Sequence, residues 1–293
     1  MLVGLALLGG GVAAGLFGSL LGLGGGILIV PLLTLGFGLP LITAVGVSLV
    51  CVIMTSGAAA GVYLERRVAN LRLGMTLELF TAIGALVGGM VAFLIPERAL
   101  EGLFTVLLVY TALTMARRRE PARSQAVEEP QPADAPEPAE VVAADVPAPA
   151  SGAATHPSAT PFLETLSGPD YTVHRLGPGI VGAVGAGVAS ALLGIGGGLV
   201  KVPVMHVVMA VPLRVATATS NLMIGITASA GAIIYLVRGG LDAYAAAPTA
   251  IGVFIGASVG SRIAHRIQLG VLRGLFVVIL LYTAWQMLQR AIG

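Results

Sequence analysis

The sequence predicts an all-α polytopic membrane protein built from two copies of one unit. Three observations carry this. The 293-residue chain is 56% hydrophobic and 10% charged, where soluble domains hold about 25% charged residues. Long runs carry no charge at all, Met1 to Tyr63 among them, well beyond the roughly 18 apolar residues that span a bilayer. Third, Gly22-Leu23-Gly24-Gly25-Gly26 with Val30-Pro31 returns as Gly194-Ile195-Gly196-Gly197-Gly198 with Val202-Pro203, at an offset of 172 residues. The offset persists without a gap: Pro40 meets Pro212, Ser48 meets Ser220, Thr55 meets Thr227, and Gly84 and Gly88 meet Gly256 and Gly260. The runs are continuously apolar rather than alternating, and a lipid-exposed backbone must satisfy itself internally, so the spans are helices.

Each copy reads as an apolar segment, a glycine break, a short apolar segment and three long ones. In the first copy these cover about 2–21, 27–37, 40–64, 72–95 and 98–116. In the second they cover about 176–193, 199–209, 212–236, 244–266 and 270–290. The N-terminal segment lacks the basic region of a signal peptide and reads as a retained helix. Pro40, Pro96 and Pro212 fall where helices start or stop. The segment after each glycine cluster holds about 11 residues, too few to cross about 30 Å at 1.5 Å per residue. It reads as half of a broken or re-entrant element, the sequence pattern of a transporter.

Residues 1–116 thus form a first transmembrane repeat and 176–293 a second. Between them, 117–175 is a Pro/Ala/Glu-rich linker that holds nine of the 14 acidic residues. Without apolar periodicity it cannot offset its ordering entropy, and it is expected to be disordered. If each glycine-broken pair enters and leaves on one side, the copies are inverted. A cytoplasmic linker then leaves only Arg98, Arg238 and Arg290 among the arginines outside. A full first crossing makes the copies parallel and puts Arg98, Arg214, Arg262, Arg266 and Arg273 outside. The positive-inside rule favours inversion.

The candidate site lies at the breaks. Gly24, Gly25, Gly26, Gly196, Gly197 and Gly198 let backbone approach a ligand closely, and the half-helix that follows presents N–H groups suited to an anion. A dinucleotide fingerprint needs a strand before the glycines and an acid after them, and neither is present. Lys201 breaks the symmetry, because its counterpart is Ile29. An ionisable group within a span is a functional candidate by default. Ser48, Ser220 and Asn221 offer uncharged donors, with Thr55 and Thr227 as lesser candidates. His206 and Glu78 are candidates for proton coupling, Glu78 facing a cytoplasmic vestibule. Isolated Gly84 and Gly88 read as helix packing, Cys51 as a small buried residue, and Tyr63, Tyr235, Tyr282 and Trp285 as interface anchors. No catalytic residue, metal ligand set or cofactor is expected, nor a nucleic-acid partner. The expected partners are a small anion and the lipid bilayer; oligomeric state is not legible.

The duplicated Gly-(Leu/Ile)-Gly-Gly-Gly-x-x-x-Val-Pro, with Gly194 to Pro203 followed by Thr219-Ser220-Asn221, resembles the sulfite exporter TauE/SafE family of membrane permeases. That resemblance implies seven or eight spans. It also implies proton-linked transport of sulfur-containing or organic anions across the cytoplasmic membrane. The expected function is a secondary transporter working by alternating access around a site bounded by the two breaks. A passive anion channel is the alternative.

Overall fold

The computed structural model describes residues 2–20, 25–65, 70–117, 173–263 and 269–292. The linker from 118 to 172, and Gly22 and Gly24 of the first break, lie outside the described residues.

Ten helices are described: α1 (Leu2–Leu20), α2 (Gly26–Pro31), α3 (Leu41–Glu65), α4 (Leu71–Ala92), α5 (Glu97–Arg117), α6 (Leu176–Leu193), α7 (Gly198–Pro203), α8 (Leu213–Val237), α9 (Ala243–Ile263) and α10 (Leu269–Ile292). Seven of them are long and apolar enough to cross a membrane. The short α2 and α7 each widen into a π turn, Leu32–Gly36 and Val204–Val208, directly after Pro31 and Pro203. Proline has no N–H for the i→i−4 ladder, so the helix relaxes there instead of continuing regularly. Pro40 and Pro96 precede α3 and α5, and Pro212 caps α8. The two short helices, their π turns, and α3 and α8 match residue for residue at the 172 offset.

Contacts follow the same offset. A Cβ at Gly10 would meet Leu32, and one at Gly25 would lie 3.7 Å from Ala14 O, so α2 returns antiparallel beside α1. Gly182 against Val204 and Gly197 against Ala186 repeat this in α6 and α7. Each glycine-broken pair is therefore a hairpin that begins and ends at the same end of the bundle. Along α3, Gly46 approaches Gly240, Leu49 meets Gly231, and Ser56 Oγ donates to Asn221 O at 2.8 Å. Partner numbers fall as α3 numbers rise, so α3 and α8 run antiparallel. Helices matched by the offset thus point in opposite directions, the inverted arrangement rather than the parallel one.

The halves also exchange helices. α1 packs along α9 and α6 along α4. A Cβ on Gly84 would come within 3.0 Å of Val184 O, and one on Gly256 within 3.0 Å of Val12 O. Only glycine lets these backbones approach so closely. The short helix α2 is buried over its whole length, and Cys51 is fully buried in α3. Large apolar side chains point outward instead: Leu79, Ile83 and Val87 on α4, and their counterparts Ile251, Ile255 and Val259 on α9. Such surfaces suit lipid, not water. Tyr282 and Trp285 are exposed on α10. Tyr235 departs from the expected anchor role. It is fully buried, its ring lies 5.2 Å from that of Phe93, and its hydroxyl donates to Ala191 O at 2.8 Å. The side chain of Tyr63 lies outside the described residues.

Candidate functional site

The two breaks meet on α3. Ser48 Oγ shares its proton between Gly194 O at 2.7 Å and Gly26 O at 3.1 Å, clamping one break to the other. A Cβ on Gly26 would lie 2.6 Å from Gly194 O. The second break is wedged between Val52 of α3 and Ile224 of α8, each 2.6 Å from where a Gly196 Cβ would be. Gly194, Gly196 and Gly197 have φ of 66°, 74° and 76°, and Gly25 has φ of 74°. These left-handed conformations are cheap only for glycine. They turn the chain from the end of α6 into α7 within four residues.

Two hydroxyls converge on that turn. Ser190 Oγ lies 3.6 Å from the Cβ position of Gly197, and Ser220 Oγ 3.7 Å from that of Gly198. Both residues are fully buried, and neither oxygen has a hydrogen-bond partner among the described residues. Buried polar atoms are nearly always paired, because leaving one unmade costs about 1–3 kcal/mol. Two such hydroxyls thus face one turn. The contrast with Ser48 is local: the matched serine on α3 spends its proton on carbonyls, whereas Ser220 on α8 does not.

Lys201 sits in the first turn of α7, its N–H donating to Gly197 O at 3.0 Å. Its side chain does not snorkel to a surface. It is 2% exposed and forms an ion pair with Glu78 Oε2 at 2.8 Å. Thr227 Oγ1 accepts from Lys201 Nζ and donates to Glu78 Oε1 at 2.5 Å. Glu78 is therefore sealed, 4% exposed, rather than open to a vestibule. The cluster joins α4 of the first half to α7 and α8 of the second.

The other candidates separate from this cluster. His206 is exposed on the π turn, its Nδ1 2.9 Å from Val211 O. Asn221 is half-buried, and its carbonyl accepts from Ser56. Thr55 Oγ1 donates to Val52 O at 3.0 Å. Ser190 escaped sequence reasoning, although one signal was present: its counterpart is Gly18, an asymmetry of the kind that marked Lys201.

The chain matches the model of the family described as sulfite exporter TauE/SafE over residues 7–287. It is 23% identical over 293 residues, 96% of each chain, to the probable membrane transporter protein YunE of Bacillus subtilis. No solved structure matches. With its apolar exterior, inverted halves and clamped helix breaks, the chain belongs to the sulfite exporter TauE/SafE family and is a multi-pass transporter of the cell membrane.

Proposed function

We propose that the protein is a secondary transporter that moves small anions, sulfur-containing or organic, across the cytoplasmic membrane with proton coupling. The observation that carries this reading is the pair of buried, unpartnered hydroxyls of Ser190 and Ser220 at the second glycine turn. Hydroxyl donors without charge suit an oxyanion. Gly196, Gly197 and Gly198 form the floor of the site, Ser190 and Ser220 orient the anion, and Lys201 supplies charge. Gly26 meets them from the first break, held in register by Ser48; Gly24 and Gly25 belong to the same proposed site by sequence. Asn221 and His206 lie at the margin.

Alternating access follows from the inverted halves: exchanging their conformations opens the site to the opposite side. The void beside Lys201 measures about 10 Å³, room for about one water and too small for these anions, so loading requires the halves to move.

The test is flux in proteoliposomes with sulfite, thiosulfate, sulfonates and carboxylates, with and without a pH gradient. Saturable flux that follows the pH gradient is the expected result. Non-saturating current would favour the passive channel, and no flux of any small anion would remove the reading.

A further inference from the structure

The buried charge cluster occupies one of two places that the inverted scaffold makes equivalent. Glu78, Lys201 and Thr227 correspond at the 172 offset to Ala250, Ile29 and Thr55. Ile29 and Ala250 are buried apolar residues, so the duplicated scaffold folds this corner without charge. The ion pair is therefore an addition to the frame. Either charge alone in such a place would be strongly destabilising.

The pair is neutral as it stands. The void against Lys201 is otherwise lined by Leu77, Thr81, Ala183, Val204, Met205 and Met223, and none of these titrates. α6 carries no titratable side chain over Leu176–Leu193. On the remaining elements packed about the pair, Arg72 is exposed at the start of α4 and Arg238 at the end of α8. Arg214 stands in the first turn of α8, with its side chain outside the described residues. His206 faces away on the π turn, and the Tyr235 hydroxyl is bonded to Ala191 O. Glu78 is thus the acid in direct contact with Lys201. An anion that takes the ammonium from Glu78 would leave one uncompensated negative charge buried.

Resting on the transport reading above, we propose that Glu78 takes up one proton whenever Lys201 exchanges its carboxylate for one negative charge of the substrate. The Nζ–H···Oε2 contact breaks, the proton resides on the Glu78 carboxyl, and Thr227 stays hydrogen-bonded between the two. The site is neutral empty and neutral when loaded with a monoanion and a proton. A monoanion therefore moves electroneutrally with one proton, and a dianion moves with one net negative charge.

The experiment uses the full chain in proteoliposomes, with methanesulfonate as a monoanion of fixed charge and thiosulfate as a dianion. For wild type, one unit of pH gradient accumulates methanesulfonate about tenfold. A valinomycin–potassium potential of about 100 mV shifts that accumulation less than about twofold, whereas it shifts thiosulfate about 50-fold. In Glu78→Gln, which keeps the shape and one acceptor oxygen but cannot take up a proton, the pH gradient no longer drives methanesulfonate. A potential of about 100 mV then shifts it about 50-fold. Wild-type methanesulfonate that follows potential and ignores pH overturns the coupling, whether or not the variant folds. Flux of neither probe removes the transport reading underneath, and the coupling with it.

Discussion

Gly84 and Gly256 provide a test with its own control. Each lies on a helix lent to the other half, and each faces backbone. An added Cβ would sit 3.0 Å from Val184 C at Gly84 and 2.8 Å from Val12 C at Gly256. The carbonyl oxygens of Val184 and Val12 lie closer still, so against ordinary contact distances alanine must open each interface by roughly 1 Å. Backbone cannot rotate out of the way as a side chain can, and overpacking of this size costs about 1–3 kcal/mol. Gly102 of α5 and Gly274 of α10 also correspond at the offset, but a Cβ there meets nothing within 4 Å. Alanine at those two sites gains helix propensity, about 1 kcal/mol. That gain is common to all four variants and cancels when the pairs are compared. Thermal unfolding in detergent, followed through Trp285 fluorescence, should place Gly84→Ala and Gly256→Ala below Gly102→Ala and Gly274→Ala. At roughly 2–4 °C per kcal/mol for a chain of this size, the gap is several degrees, and the two members of each pair should agree. Equal melting of all four variants would refute the close packing of α4 on α6 and α1 on α9.

Three further outcomes follow. Ser48→Ala should lower stability by about 1–3 kcal/mol, because it frees two buried carbonyls; Ser220→Ala should not, because its hydroxyl has no partner to lose, and paired melting curves decide this. Lys201→Met should destabilise by about 3–5 kcal/mol by stranding Glu78, and adding Glu78→Leu should recover most of the loss in the same assay. Epitope tags at the two termini should be accessible from one side and a tag in the linker from the other; with the linker in the cytoplasm, both termini lie outside. Termini on the linker's side would contradict the inverted arrangement.

Much of the fold was legible because two copies report on each other. An apolar run alone does not say where a helix begins, but Pro40 and Pro212 at matched places mark the starts of α3 and α8. The short segments after the glycines were recognisable as half-helices by length alone. Burial direction was less legible. Tyr235 looks like any aromatic near a helix end, and only the neighbouring Phe93 and Ala191 show that it faces inward. Lys201 stood out by asymmetry and Glu78 by being an acid within a span. Their pairing across 123 residues depends on α4 packing against the other half's helices, which local pattern does not encode. Ser190 was invisible because a serine in a helix usually bonds its own preceding turn, as Thr81 does. That Ser190 does not is a fact of geometry.

The central claim, an anion held at the second glycine turn, is tested most directly by equilibrium binding of radiolabelled sulfite and thiosulfate to the purified protein. A hydroxyl hydrogen bond to a charged group contributes about 1.5 kcal/mol or more, so losing two weakens binding at least about 100-fold. Ser190→Ala/Ser220→Ala should show that loss while melting at or above the wild-type temperature. Undiminished binding by the double variant would contradict the account.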